Sequence, residues 1–182
     1  MSFTKTIFPL LVVGLLFVGF GCQKNNNQPK VDVPFGWINF ESADYGFAVS
    51  YPDNFELRSR PLEQQDSSYV GLPGNFFASL RDVKREQNSV TIAAFYAFKD
   101  VSVEKFSEAL KASDPDNITI KETSDLSQGG LAIKKITSTT AMGTDKIHYV
   151  FLSGENLIVI SVILDEGPNF EPLLATMRMF SK

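Results

Sequence analysis

The sequence predicts an α+β domain, with an antiparallel sheet of six or seven strands and flanking helices. Segments with strand periodicity recur along residues 45–164, and turns rich in glycine, proline and asparagine separate them. Only 102–112 and 169–180 show the spacing of an amphipathic helix. A doubly wound parallel sheet needs a helix between successive strands, so this pattern argues against that architecture.

Alternating apolar residues define the strands. The segment Y-G-F-A-V-S-Y-P places Phe47, Val49 and Tyr51 on one face. Segments 89–98 and 157–164 are apolar on both faces, which predicts central strands covered on both sides of the sheet. The predicted strands are 45–52, 76–82, 89–98, 117–123, 131–139, 146–152 and 157–164, with short extended segments at 38–40 and 55–60.

Capping residues and apolar stripes define the two helices. Ser102 is expected to cap the first helix, 102–112, and Asn169 the second, 169–180. Each helix carries a stripe that should face the core. Its members are Val103, Phe106 and Leu110 in the first helix, and Phe170, Leu173, Leu174 and Met177 in the second.

Two of these segments resemble the PsbP-like domains. The early D-Y-G-F-A-V-S-Y-P element, 44–52, and the closing F-E-P-L-L-A-T-M-R-M-F segment, 170–180, flank a meander of strands. PsbP-like domains share an α/β/α sandwich with Mog-type Ran-binding proteins and with bacterial lipoproteins such as DcrB. Plant members are extrinsic subunits of the photosynthetic oxygen-evolving complex. The resemblance, over 37–180, thus implies this sandwich and a membrane-associated accessory role, without assigning any site residue.

The beginning of the chain resembles a lipoprotein export signal. Residues 7–21 form an uncharged, mostly apolar stretch of 15 residues. The apolar part of a signal peptide has about 7–15 residues, whereas a membrane-spanning helix needs about 20. Cys22 follows directly, as in the lipobox of bacterial lipoprotein precursors, whose cysteine is acylated before cleavage on its N-terminal side. Gly21 fits this pattern, whereas Gly19 and Phe20 depart from it.

This resemblance divides the chain into three parts. We predict a lipoprotein signal peptide at 1–21, a lipidated Cys22 with a flexible tether over 22–36, and the PsbP-like domain at 37–182. The polar Q-K-N-N-N-Q-P-K segment after the cysteine cannot bury apolar surface, which is typical of a tether. Gln23 follows the cysteine where aspartate would retain the protein, so the outer membrane is expected in a cell with two membranes.

Two other interpretations of the N-terminal segment stay open. The G-F-G triplet before Cys22 also suits an ordinary signal peptidase, which would release a soluble protein with a free thiol. Alternatively, the segment remains as an uncleaved anchor. Cys22 is the single cysteine of the chain, and a secreted protein seldom keeps one unpaired cysteine. Its place at the predicted cleavage point therefore favours lipidation.

Composition limits the partners and the means of stabilisation. A net charge of −4 argues against nucleic acid as a partner and provides no attraction to anionic lipid. One cysteine cannot form an intramolecular disulfide, so the hydrophobic core must hold the fold, and 16 phenylalanines make that feasible. The length suits one domain. Neither a cofactor nor a metal is predicted.

His148 is the single histidine. Ile147, Tyr149 and Phe151 occupy one face of its strand, so His148 points to the other face together with Lys146. A catalytic triad or a histidine metal site would need partners that the sequence lacks, since there is no G-x-S-x-G motif and no second histidine. We therefore expect a histidine at the surface or at an edge.

The other polar clusters are expected to be turns or solvated surface. They are Asp114, Asp116 and Asn117; Asp165 and Glu166; Gly71–Gly74; and Arg58, Arg60, Arg81, Lys84 and Arg85. The acidic clusters lack the spacing of a calcium loop. The G-L-P-G segment is too short to cradle phosphate, but its polar loop, 61–75, is the longest and the best place for a partner. Acidic residues lie among the basic ones.

The absence of a nucleophile, base and acid combination favours a non-enzymatic role. We expect a lipid-anchored accessory or binding protein of the cell envelope, with the membrane and an envelope protein as partners. The alternative is a carrier or sensor of a small apolar ligand, in a pocket between helix and sheet lined by Phe47, Tyr51, Phe95 or Phe106. A hydrolase using two facing carboxylates is a third hypothesis. Tyr45, Phe47 and Tyr51 are otherwise expected in the core.

Overall fold

The computed structural model describes residues 33–82, 91–113, 118–128, 130–163 and 171–180. Strands make up most of these ranges. They are β1 (Trp37–Ser42), β2 (Phe47–Pro52), β3 (Phe55–Ser59), β4 (Asp66–Tyr69), β5 (Leu72–Asp82), β6 (Thr91–Lys99), β7 (Ile118–Gln128), β8 (Leu131–Thr140), β9 (Asp145–Ser153), β10 (Asn156–Ile163) and β11 (Arg178–Met179). The helices are α1 (Val103–Ser113) and α2 (Glu171–Ala175), and a 3₁₀ turn spans Leu62–Gln64.

Eight strands form one large antiparallel sheet. Seven follow the order β3-β5-β6-β10-β9-β8-β7, and β4 pairs with β5 beside them. The strands β6 and β10 lie in the middle and pair with each other, as their two apolar faces predict. The antiparallel arrangement is thus confirmed, but the sheet is larger than the six or seven strands expected.

The polar segment 61–75 is not the long loop that was predicted. After the 3₁₀ turn it forms β4, reverses at Val70 and Gly71, and becomes the start of β5. Both turn residues have positive φ, 49° and 77°, as in the hairpin turns that match strand twist. The prediction failed because β4 lies outside the seven-strand order of the sheet. Every second polar side chain of β4 remains in solvent there.

The first helix is confirmed. The backbone N–H of Lys105 donates to Ser102 Oγ at 3.1 Å, which satisfies one of the free donors of the first turn. Phe106 and Leu110 are buried, as the apolar stripe predicts. One face of helix α1 therefore packs against the large sheet.

Two apolar cores lie on opposite faces of the large sheet. On one face, α1 packs through Phe106 against a cluster that includes Val150 and Val159. On the other face lie the three-stranded sheet β1-β2-β11 and α2, whose side chains include Phe47 and Leu174. The layers are thus a helix, a large sheet, and a mixed layer of small sheet and short helix. This arrangement differs from the α/β/α sandwich that the resemblance implied.

The closing helix is shorter than the predicted 169–180. Helix α2 ends at Ala175, and the chain then joins β2 as β11. The hydroxyl of Thr176 accepts a hydrogen bond from the backbone N–H of Ser50 at 2.8 Å, which turns the chain toward β2. The apolar stripe is buried as predicted at Leu173, Leu174 and Met177. Asn169 and Phe170 lie outside the described residues.

We expect Gly74→Ala to destabilise the protein, because β5 and β6 approach each other closely at this position. A Cβ atom on Gly74 would lie 2.5 Å from Phe98 Cδ1 and 2.8 Å from the carbonyl oxygen of Ala97. Relieving such an overlap costs about 1–3 kcal/mol. Urea unfolding followed by circular dichroism measures the change.

Gly130→Ala is the matched control. Gly130 has a φ of +81° and open space around its Cα, so the new methyl group meets no neighbour and adds only backbone strain of about 1 kcal/mol. A Gly74→Ala variant as stable as the wild type would contradict the tight packing of β5 on β6.

Candidate functional site

His148 lies inside the protein, so its predicted place at the surface or edge is wrong. Its side chain points away from the core that contains Ile147 and Tyr149, as the alternation predicts. Helix α1 covers this second face, and the Phe106 ring lies 6.1 Å from the imidazole between centroids. Only 1% of His148 is exposed. Alternation identifies the face of a strand but not the element that covers it.

A network of side-chain hydroxyl groups surrounds the imidazole. Ser138 Oγ lies 3.1 Å from His148 Nε2, and the Tyr69 hydroxyl lies 3.4 Å from Nδ1. The same hydroxyl is 3.0 Å from Ser161 Oγ. A neutral imidazole has one donor and one acceptor nitrogen, so it can satisfy a hydroxyl on each side. The network therefore provides hydrogen-bond partners for three buried polar side chains, His148, Ser138 and Ser161, and for the partly buried Tyr69.

Four different strands bring these side chains together. Ser161 on β10 lies directly opposite His148 on β9 in the strand register. Ser138 comes from β8, and Tyr69 comes from β4. The Tyr69 ring stacks on Tyr96, with centroids 4.2 Å apart and planes 12° apart, which holds its hydroxyl over the imidazole. Sequence reasoning missed this cluster, although Ser161 is a polar residue within an otherwise apolar strand.

Burial keeps the network uncharged at neutral pH. Desolvation, and secondarily the charge of Lys146, lower the pKa of His148 to about 4. Burial also raises the pKa of Tyr69 to about 12, although its hydrogen bond to Ser161 opposes this shift. A histidine with so low a pKa is a weak base at pH 7.

The Ser138 and His148 pair has the distance of a nucleophile and its base, but it is shielded from solvent. Ser138 is 2% exposed and His148 is 1% exposed. Neither residue lines the two clefts described below. A substrate would have to displace α1 to reach the pair, so the arrangement favours a structural role.

We expect His148 to make the protein sensitive to acid. The folded-state pKa of about 4 lies below the ordinary 6.5, so the unfolded chain binds more protons between these values. The free energy of unfolding should thus be highest above pH 6.5. As the pH falls toward 4 it should decrease by up to about 1.4 kcal/mol per pH unit.

Urea unfolding of the wild type and of His148→Gln, at several values between pH 7.5 and 4, measures this effect. Glutamine keeps a hydrogen-bonding amide but does not titrate, so carboxylates that titrate in both proteins cancel in the comparison. Equal pH dependence of the two proteins would show that His148 does not titrate as described.

Two clefts open at one end of the large sheet, where the β7–β8 and β9–β10 turns lie. The first, of about 500 Å³, lies between the β1–β2 turn, the β9–β10 turn and β11. Within it, Ser153 Oγ donates to the carbonyl oxygen of Tyr45. The second, of about 380 Å³, lies between the first turn of α1, the β7–β8 hairpin and the end of β9. Most of its lining is apolar, with Glu104, Asp125 and Lys134 among the exceptions.

The pocket residues predicted for a ligand carrier line neither cleft. Phe47, Tyr51, Phe95 and Phe106 are all buried. The expectation that Tyr45, Phe47 and Tyr51 belong to the core is confirmed. Tyr45 also reaches the first cleft, because it sits in the turn between β1 and β2.

The basic residues lie in a surface of mixed charge, as expected. Arg58 Nη2 pairs with Glu56 Oε2 at 2.9 Å, and Arg60 Cζ lies 4.4 Å above the centre of the Phe76 ring. Arg81 is on β5. Several predicted candidates lie outside the described residues: Lys84, Arg85, Asp114, Asp116, Asn117, Asp165 and Glu166. Within the described ranges, no three His, Cys, Asp or Glu side chains group to hold a metal.

Cys22 and the rest of the predicted signal and tether up to residue 32 also lie outside the described residues. Across the ranges that are described, neither helix has the length and apolar character needed to cross a membrane.

The fold is similar to that of the PsbP-like domains, as a comparison with solved structures shows. One solved structure with this fold is the solution structure of cyanobacterial PsbP (CyanoP) from Synechocystis sp. PCC 6803. It matches with a TM-score of 0.57 and 8% sequence identity, over 81% of this chain and 95% of that chain. No family model and no curated protein matches the sequence. The comparison confirms a PsbP-like fold, although the layers of this chain are not the α/β/α sandwich that the sequence resemblance implied.

Proposed function

We propose that the protein is an exported lipoprotein, acylated on Cys22, that acts as a non-enzymatic accessory or binding domain at the cell envelope. The observation that carries the proposal is the position of the single cysteine directly after 15 uncharged residues. Each buried methylene of an acyl chain contributes about 0.8 kcal/mol, so two chains anchor a protein stably where one does not. The proposed parts are the signal peptide at 1–21, the tether at 22–36 and the domain at 37–182.

The burial of His148 supports the non-enzymatic part of the proposal. His148 and Ser138 are 1% and 2% exposed, so a substrate would not reach this pair directly. The PsbP-like fold is consistent with the accessory role that the resemblance implies. The proposed location is the envelope membrane, which would be the outer membrane in a cell with two membranes because Gln23 follows the cysteine.

Replacing the cysteine tests the anchor. We expect the wild type, expressed in a bacterial host, to sediment with membranes and to carry the mass of acyl chains on a chain that begins at Cys22. Cys22→Ser should carry no acyl mass, because serine has no thiol to acylate. Gln23→Asn is the matched control, since it changes the neighbouring residue and leaves the thiol in place.

Intact mass and membrane fractionation separate the alternatives. A soluble wild type with a free Cys22 thiol would indicate cleavage by an ordinary signal peptidase. A membrane-bound wild type that keeps residues 1–21 and carries no acyl mass would indicate an uncleaved anchor. Either result contradicts lipidation.

The second cleft favours one alternative function, the binding of a small apolar ligand between helix and sheet. It lies where α1 meets β7, β8 and β9, and its volume of about 380 Å³ falls in the range of small-molecule sites. Val103 of α1 and Ala132 and Val150 on the α1 face of the sheet contribute apolar walls. The polar Glu104, Asp125 and Lys134 could orient a ligand with a polar group.

Filling this cleft tests the alternative. We expect Ala132→Trp to abolish enhanced fluorescence of 1-anilinonaphthalene-8-sulfonate, an anionic dye with an apolar ring system, because the indole would occupy the cleft. Ala175→Trp, at an exposed position on α2, is the control and should leave dye binding unchanged. Equal dye fluorescence in both variants would contradict a ligand site between α1 and the sheet.

A further inference from the structure

Two large apolar side chains stand almost fully in solvent. Phe35 is 106% exposed and Met142 is 91% exposed. Val33 and Ile38, close to Phe35 in the chain, are 38% and 44% exposed. Single exposed apolar residues are common on protein surfaces and need no explanation. Their positions relative to one another therefore decide whether these exposed residues indicate a functional surface.

Strand directions place Phe35 and Met142 at the same end of the domain. Met142 lies in the turn between β8 and β9, and the β9–β10 turn lies at the opposite end of β9. The β1–β2 turn contacts that opposite end, because Ser153 Oγ donates to the carbonyl oxygen of Tyr45. The start of β1, two residues after Phe35, is held at the other end, because the backbone N–H of Asp53 donates to the carbonyl oxygen of Gly36 at 3.2 Å. Strand β3 begins directly after this turn and pairs with the end of β5, which lies at the same end of the large sheet as the β8–β9 turn. We name this the Phe35 end, and the opposite one the cleft end.

The proposed anchor reaches the domain at the Phe35 end. Ten residues lie between Cys22 and Val33. They span at most about 35 Å when fully extended. A tether of this length holds an attached surface at a local concentration in the millimolar range. Even weak attraction between the Phe35 end and lipid would then produce contact.

We infer that the Phe35 end rests on the phospholipid surface, with Phe35 and Met142 at the boundary between headgroups and acyl chains. The inference depends on the proposed acylation of Cys22. Exposed aromatic and apolar side chains favour this boundary, where their rings or methyl groups leave water. The protein carries a net charge of −4, so the contact is apolar and does not require anionic lipid.

Tryptophan fluorescence in vesicles tests this orientation. Trp37→Phe removes the single tryptophan, and one of Phe35→Trp, Met142→Trp or Leu152→Trp is added to it. Leu152 is the matched control, because it is apolar, 58% exposed and adjacent to the β9–β10 turn of the cleft end. The full chain is expressed in a bacterial host, checked for acylation by intact mass, and reconstituted into phosphatidylcholine vesicles with or without brominated acyl chains.

We expect bromine to quench the Phe35→Trp and Met142→Trp proteins at least twofold more than the Leu152→Trp protein, with no increase when anionic lipid is added. Equal quenching of all three would overturn the inference. A blue-shifted emission of the Phe35→Trp protein without bromine quenching would also overturn it, because a second copy of the chain would then cover this end. Circular dichroism checks that each variant is folded.

A separate arm distinguishes failure of this inference from failure of the proposed anchor. If intact mass shows no acylation, the free Cys22 thiol is coupled to a maleimide phospholipid in the same vesicles. The quenching comparison then still decides whether the Phe35 end faces the bilayer. Acylation without preferential quenching would leave the anchor standing and overturn only the orientation.

Discussion

The structure depends on covering both faces of one antiparallel sheet. The central strands β6 and β10 are apolar on both sides, so neither face of the sheet can be left to water without a large loss of hydrophobic stabilisation. The single cysteine excludes an intramolecular disulfide, and packing must hold the layers together. Helix α1 covers one face, and the small sheet with α2 covers the other.

The polar network follows from this constraint. Once α1 covers its face, the polar residues that point there must find hydrogen bonds within the protein, because an unpaired buried group costs about 1–3 kcal/mol. His148, Ser138 and Ser161 do so together with Tyr69. A cluster that would suggest catalysis at a surface thus acts here as the hydrogen-bonded part of a core.

The sequence pattern correctly predicted the features that depend only on residues close together in the chain. The Ser102 cap, the stripe of α1 and the central place of β6 and β10 are each decided within about ten residues, and all are confirmed. The features that were predicted wrongly depend on contacts between residues far apart in the chain. Helix α2 ends one residue before Thr176, which bonds to the distant Ser50, and α1 covers the face on which His148 lies. Neither contact has a local signal, whereas the lone Ser161 in an apolar strand was a sign of buried polarity that could have been read.

The bond between Thr176 and Ser50 has a consequence for the order in which the chain can fold. The two residues are 126 positions apart, and β11 completes the small sheet beside β2 near the end of the sequence. One face of the large sheet therefore lacks its full cover until residues 171–179 have been synthesised. The core on the α1 face draws only on residues 69–159, so it can form before the opposite core is closed by α2 and β11.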